Sequence, residues 1–120
     1  VSYKNAIARA KKGGYEFFYR APALIVAANR KDYGNNMADA AVAVENMMIA
    51  ANSLDLGSCY INQLRWLSED PEVLAYLRKL GLREDERVYA SVALGYADTE
   101  DGLPERVPLE RKGNAVTRIG

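Results

Sequence analysis

A helix that is apolar on nearly every side is the feature of this sequence that most constrains its fold. The segment from about Met37 to Leu54 has the length and composition of a helix. Projected at roughly 100° per residue, it carries only two narrow polar stripes. These stripes are Asn35, Asp39, Asn46 and Ser53 in one line, and Glu45 and Asn52 in the other. A surface helix normally has a wide polar face, so this helix is expected to be buried on most sides.

The expected burial of this helix favours a second subunit. Six alanines between Met37 and Ala51 leave room for another helix to approach closely. The chain has 120 residues, the size of one modest domain, and a core of that size does not readily cover such a helix alone. We therefore expect a partner subunit to cover part of it, in an obligate interface that buries roughly 2,000–5,000 Å². The alternative is a central core helix within a monomer.

The remaining segments predict an α+β fold. Two continuous apolar runs, residues 23–28 and 87–96, are predicted to be buried strands. Asp70 before Pro71 predicts the start of another helix, which Gly81 ends. Further predicted elements are a first helix over residues 2–12, an extended segment at 58–61, a loop or single turn at 62–67 and a late strand at 114–119. The expected fold is a central long buried helix with a small, mainly antiparallel sheet.

Polar residues are predicted to set both ends of the long helix. Asn36, with Asp39 three residues later, is typical of a helix cap followed by an acidic first turn. At the other end, Asp55 is predicted to adopt the left-handed conformation, which Asp tolerates better than most residues.

The charged residues, the missing histidine and the single cysteine exclude several classes of function. The chain has 16 basic and 16 acidic residues, so no net field would draw it to nucleic acid or a membrane surface. No apolar run approaches the roughly 20 residues that cross a bilayer. The absence of histidine excludes Ser-His-Asp and Cys-His hydrolases, and no metal site is expected. Cys59 cannot form an internal disulfide, fits a cytoplasmic compartment and is expected to be a small buried residue.

Five segments in succession resemble the FMN-dependent nitroreductase family in order and spacing. They are FFYRAPALIVAAN, MADAAVAVENMMIAANSLDLGSCYIN, DPEVLAYLRKLGL, ERVYASVALGYAD and LPERVPLERK. The resemblance runs from about Tyr15 to Lys112. It is most specific in the helix and turn that end in LGSCYI and in the strand end VALGY.

The resemblance implies a nitroreductase-like homodimer with two FMN sites at the subunit interface and the long helix packed against its twin. It also implies an NAD(P)H oxidoreductase that reduces nitroaromatics, quinones or similar small-molecule acceptors by ping-pong hydride transfer. The nicotinamide cofactor would reduce the flavin and leave before the acceptor binds. Acceptors would stack on the exposed flavin face, so no catalytic side chain of the protein is expected.

The resemblance further implies which residues contact the flavin ring. In the family, main-chain groups in the loop after the strand contact the flavin near N5 and O4. Tyr60, Ile61, Asn62 and Gln63 occupy the corresponding places. Fixed backbone dipoles there would stabilise the charge that reduction places on the ring.

A basic residue of the C-terminal tail is implied for the FMN phosphate. Arg106, in PERVP, fits that place best, and Arg111 and Lys112 are the alternatives. A charge-assisted contact of this kind contributes on the order of 1.5–3 kcal/mol. The competing interpretation of Arg106 is a solvated arginine in the tail.

The sequence departs from the family before Tyr15. The Arg-Ser-x-Arg phosphate motif of the family, and the helix and strand beside it, have no counterpart there. We therefore expect residues 1–120 to form a single, incomplete nitroreductase-like domain without its N-terminal helix and strand. The alternative function is a non-catalytic dimerisation or ligand-binding module that has lost flavin binding.

Overall fold

Three helices and three strands make up the part of the chain that the computed structural model describes, which is residue 8 and residues 12–108, 110 and 112–120. In chain order they are β1 (Ala23–Arg30), α1 (Asn36–Ser53), β2 (Gly57–Tyr60), α2 (Gln63–Leu67), α3 (Pro71–Lys79) and β3 (Glu86–Gly95). This arrangement confirms the predicted α+β fold. The first helix predicted, over residues 2–12, lies almost wholly outside the described residues.

The strands form one antiparallel sheet with β3 in its centre, so the order is β1-β3-β2. Among the described residues, β1 and β2 therefore each have one unpaired edge. In β2, Gly57 pairs with Gly95 and Tyr60 pairs with Val92. The position of β3 explains its continuous apolar sequence, because a central strand with helices on both sides has no solvent-facing side.

A bulge in β3 lets this strand serve two cores. Ala27 of β1 pairs with Ala90, but the next residue, Ala28, pairs with Val88, so Tyr89 has no counterpart in β1. The extra residue reverses the alternation of side chains along β3. Residues on one side of the bulge pack with α1, in a cluster of Ala40, Val44, Tyr89, Ala90 and Val92. Val88 instead packs with Leu64 of α2 and Leu77 of α3.

Within one chain, α1 is buried on one side only. Ala40, Val44 and Ala51 face the sheet and are buried. On the opposite side the large apolar side chains of Val42 and Ile49 are 61% and 59% exposed, and Met37 in the first turn is 49% exposed. Among the described residues, nothing covers this apolar surface, which the sequence predicted for a partner subunit; both the subunit interface and the alternative of a core helix in a monomer stay predictions.

The helix ends confirm two local predictions and correct a third. Asp55 has a φ of 57°, and Asp70 caps α3 by accepting hydrogen bonds from the N–H groups of Glu72 and Val73 at 2.9 and 3.2 Å. Asn36 does not cap α1. It is the first helical residue, and its side-chain amide donates to the carbonyls of Arg30 (2.9 Å) and Lys31 (3.2 Å) at the end of β1.

The strand predicted over residues 114–119 is wrong. Residues 112–120 form no helix or strand, and the side chains of Val116 and Ile119 are exposed. A strand has to pair its N–H and C=O groups with a neighbouring strand, and the sequence pattern does not supply one. None of the helices in the described part of the chain combines the length and apolar character needed to span a bilayer.

Candidate functional site

The four residues predicted to contact a flavin ring lie together where β2 turns into α2. Tyr60 is the last residue of β2, and Gln63 is the first residue of α2. Between them, the side chain of Ile61 is only 1% exposed, whereas Asn62 is exposed. We call residues 60–63 the β2–α2 corner. Its buried Ile61 anchors the corner to the protein, and its flanking residues face outward.

Ser91 of the central strand holds Ile61 in place through two hydrogen bonds. The N–H of Ile61 donates to the main-chain oxygen of Ser91 at 2.8 Å, and the Ser91 hydroxyl donates to the carbonyl of Ile61, also at 2.8 Å. Ser91 is fully buried. Both main-chain groups of Ile61 thus already form a hydrogen bond within the chain, and its contact with the flavin stays a prediction.

Asn62 and Gln63 remain as the polar groups that the corner presents. Asn62 occupies the position before α2 and makes no capping hydrogen bond with its side chain. Gln63 is half-buried. Buried Leu64 holds α2 against the protein by packing with Leu77 and Val88, and the buried Ser68 hydroxyl donates to the Arg65 carbonyl at 2.9 Å at the end of the helix. The two carboxamides can donate and accept hydrogen bonds, which fits the alternating donors and acceptors on the edge of a flavin ring.

An arginine and tryptophan pair on α2 borders the same corner. The guanidinium carbon of Arg65 lies 5.0 Å from the centroid of the Trp66 ring, within the range of a cation–π interaction. Trp66 is 49% exposed. Residues four apart on a helix are neighbours, so Trp66 lies on the same side of α2 as Asn62. No pattern in the sequence indicated this pair, although Trp66 is the single tryptophan of the chain.

Arg106 lies elsewhere, at the C-terminal end of α1. Its guanidinium donates to the carbonyl of Asn52 at 2.9 Å and forms an ion pair with the carboxylate of Asp55. Both side chains of the pair are more than half exposed. A cation at a helix C-terminus stabilises the unpaired carbonyl groups there. The structure thus gives Arg106 a contact with its own chain that the sequence did not reveal.

A short turn leads the chain toward Arg106. The carboxylate of Asp101 accepts hydrogen bonds from the N–H of Leu103 at 3.0 Å and from the Thr99 hydroxyl at 3.1 Å. These bonds, first the one from Leu103 and then the one from Thr99, hold the pKa of Asp101 below its usual value. The turn therefore gives the exposed polar tail a defined start.

The structure does not bring Arg106 together with the β2–α2 corner. Asp55 precedes β2 and Ile61 follows it. The four residues of β2 alone span roughly 10 Å at about 3.3 Å per residue. Arg111 lies outside the described residues, and Lys112 is exposed in the irregular tail. The phosphate contact of Arg106 stays a prediction, and its carboxylate partner weakens it, because Asp55 would repel a phosphate.

A shallow cleft of about 280 Å³ lies at the Gly57 end of β2. It is lined by residues 18–22, 57–59 and 93–96 and includes none of the residues predicted to bind FMN. Pro22 packs closely on Gly95, where an added Cβ would approach the Pro22 ring to 2.9 Å. Cys59, expected to be buried, is exposed in this cleft because β2 is an edge strand.

Comparison with known proteins identifies relatives over most of the chain. The model of the nitroreductase family matches residues 2–96. A nitroreductase with bound FMN from Bacteroides fragilis NCTC 9343 is 36% identical over 98% of this chain and 63% of its own, with a TM-score of 0.81. No curated protein sequence matches significantly.

Two further solved structures share the fold at lower identity. A nitroreductase with bound FMN from Desulfitobacterium hafniense DCB-2 is 24% identical over 98% of this chain and 62% of its own, with a TM-score of 0.69. An FMN-dependent nitroreductase from Clostridium difficile R20291 is 20% identical over 94% of this chain and 70% of its own, with a TM-score of 0.67. The chain thus spans less than two thirds of the length of both FMN-bound relatives.

Proposed function

Because the chain belongs to the nitroreductase family, we propose that it is part of an FMN-dependent oxidoreductase whose flavin ring lies against the β2–α2 corner. The observation that carries this proposal is the pair of carboxamides of Asn62 and Gln63, which form no side-chain hydrogen bond with the described residues, beside an Ile61 that is fixed to the core. The similarity to a solved structure with bound FMN supports it. When bound, FMN supplies hydride chemistry that connects NAD(P)H with a nitroaromatic, quinone or similar acceptor.

The residues of the corner would bind and orient rather than transfer protons. Asn62 and Gln63 would form hydrogen bonds with the polar edge of the ring through their side chains and main-chain N–H groups. Ser91 keeps the corner rigid, because it engages both main-chain groups of Ile61. Tyr60 and Trp66 are large and exposed on either side of these amides, and they would exclude water from a ring bound there.

FMN titration of the purified protein tests the proposal. The double variant Asn62→Ala with Gln63→Ala removes both carboxamides and should weaken FMN binding at least about tenfold, as expected for the loss of one or two hydrogen bonds. Quenching of flavin fluorescence gives the dissociation constant, and oxidation of NAD(P)H reports turnover. Asn114→Ala, in the exposed tail, is the matched control. An affinity that is the same in the double variant and in the control would remove the corner as the flavin site.

We also propose that two copies of the chain pair through the exposed side of α1. Val42 and Ile49 give this side the apolar character of a subunit interface. Ala41 is exposed next to Val42, so a glutamate there would not disturb the core of one chain but would bury an unpaired charge in the dimer. Ala41→Glu should therefore yield a folded monomer in analytical ultracentrifugation. Ala75→Glu, at an exposed alanine of α3, should remain dimeric. A dimeric Ala41→Glu variant would reject this face.

A cytoplasmic location belongs to the same proposal. Cys59 is an exposed free thiol, and such a thiol persists in a reducing compartment. Reduced nicotinamide cofactors would be the electron donors there. When cells that express a tagged protein are fractionated, the protein should be recovered with the cytoplasmic markers. Recovery in the secreted or membrane fractions would contradict this location.

A non-catalytic module without flavin is the second candidate, and it is favoured by the contacts of Ile61 and Arg106. Both residues were predicted to contact FMN, and both are already engaged within the chain. Such a module would purify colourless and stay colourless after FMN is added and the excess removed. A yellow preparation with stoichiometric flavin would reject this candidate.

A further inference from the structure

We infer that Arg65 and Trp66 form a recognition site for aromatic acceptors that carry a carboxylate. The inference rests on the proposed function, because it places the acceptor beside the residues proposed to bind the flavin. It adds a charge preference that the family resemblance does not supply. The aromatic ring of the acceptor would stack near Trp66, and its carboxylate would pair with the guanidinium of Arg65.

The first observation is that the positive charge of Arg65 is not compensated. All 16 acidic residues of the chain lie in the part that the structure describes, and none forms an ion pair with Arg65. Arginines that do pair with a carboxylate are Arg20, Arg30, Arg83, Arg87 and Arg106. A guanidinium without a partner is available to bind an anion.

The second observation is that part of this guanidinium is already shielded from water. The Nε atom of Arg65 is buried and has no hydrogen-bond partner among the residues that the structure describes. This burial fixes the base of the guanidinium in the protein. A carboxylate would contact the two terminal nitrogen atoms, because the planar guanidinium presents paired donors that match two carboxylate oxygens.

The third observation concerns the aromatic ring beside the charge. Trp66 is 49% exposed, and the guanidinium carbon of Arg65 lies 5.0 Å from its ring centroid. This contact orients the guanidinium without neutralising it. An exposed indole next to an oriented cation offers a stacking surface and an anion contact together, and an aromatic carboxylate carries both complementary groups.

The position of the pair connects it with the flavin site. Trp66 lies one helical turn from Asn62 on the outward side of α2, while Leu64 and Ser68 face the core. An acceptor held by Arg65 and Trp66 would thus lie beside the proposed flavin contacts. We expect the protein to prefer a negatively charged aromatic acceptor over a neutral one of the same shape.

Fluorescence of Trp66 tests the inference directly, because it is the single tryptophan of the chain. The protein is titrated with para-nitrobenzoate and, separately, with para-nitrobenzamide, which has nearly the same shape and absorbance but no charge. Saturable quenching by the benzoate should have a dissociation constant at least about tenfold lower than that of the benzamide. Arg65→Gln should abolish this preference, and Arg65→Lys should retain part of it. Arg118→Gln, an exposed arginine of the tail, should retain all of it.

The outcomes separate this inference from the proposed function. Equal affinity for the two compounds, or a preference that survives in Arg65→Gln, would overturn the inference whether or not FMN binds. A preference that depends on Arg65 in a protein that binds no FMN would support the anion site and remove only the oxidoreductase proposal. With bound FMN, the ratio of kcat/KM for the two acceptors should show the same dependence on Arg65.

Discussion

An arginine lies near each end of β2, and the two differ in whether a carboxylate pairs with them. At the start of the strand, Arg106 pairs with Asp55 and with the carbonyl of Asn52 at the end of α1. At the far end, Arg65 contacts the ring of Trp66 and has no carboxylate partner among the described residues. One arginine is committed to its own chain, and the other is not.

The difference teaches that the presence of an arginine in a motif does not make its charge available. The sequence favoured Arg106 as an anion contact because it lies in a family-like tail segment. The structure shows that an anion at Arg106 would have to compete with Asp55, and that the C-terminal end of α1 adds further negative potential. An anion at Arg65 would meet neither obstacle.

The largest expected effect on stability comes from removing the hydrogen bond by which Ser91 supports the β2–α2 corner. Ser91→Ala removes the hydroxyl that donates to the Ile61 carbonyl, and leaves that buried oxygen without this partner. The free energy of unfolding should fall by about 1–3 kcal/mol. Urea denaturation measures this loss. Ser58→Ala on the half-buried edge strand is the control and should cost less. Equal losses in the two variants would show that Ser91 does not support the corner.

A smaller effect is expected at the other end of β2. Arg106→Ala and Asp55→Asn each break the same ion pair, which is exposed and therefore contributes about 0.2–1 kcal/mol. The losses in unfolding free energy should not add in the double variant. FMN affinity should stay within about twofold of the parent.

The phosphate prediction for Arg106 makes the opposite forecast for the same variants. Arg106→Ala would then weaken FMN binding roughly ten- to a hundredfold, which corresponds to about 1.4 kcal/mol per tenfold. Asp55→Asn would strengthen FMN binding, because it removes a competing carboxylate. Isothermal titration of the two variants with FMN decides between these forecasts.

The smallest effect on stability is expected from Arg65. Arg65→Gln removes a charge that has no ion-pair partner among the described residues, so the free energy of unfolding should change by no more than about 0.5 kcal/mol. Thermal unfolding of Arg65→Gln and Arg106→Ala under the same conditions compares the two losses of stability directly. A loss larger than that of Arg106→Ala would mean that Arg65 is structurally committed, and the contrast between the two strand ends would disappear.

The sequence predicted the elements whose signals are local. Continuous apolar runs located β1, α1 and β3 to within about two residues of their observed bounds. The pair Asp70 and Pro71 marked the start of α3, and Asp55 showed the predicted left-handed conformation. Each of these signals depends only on neighbouring residues.

The contacts that the sequence did not predict join residues that are far apart in the chain or depend on exact register. Asn36 binds carbonyls of β1 because the strand extends to Arg30, beyond the apolar run. The pairing of Arg106 with Asp55 spans 51 positions. The grouping of residues 60–63 at one corner followed the sequence, whereas the hydrogen bonds of Ile61 with Ser91 required the register of β2 on β3.

The bulge at Tyr89 protects the central strand from slipping along its neighbour. If Tyr89 were instead paired regularly with β1, Val88 would lie on the same side of the strand as Ala90, toward α1 and away from Leu64 and Leu77. A shift of β3 by one residue would likewise move its apolar side chains to the opposite face of the sheet. The bulge thus favours a single register of the three strands. This register places Ser91 beside Ile61.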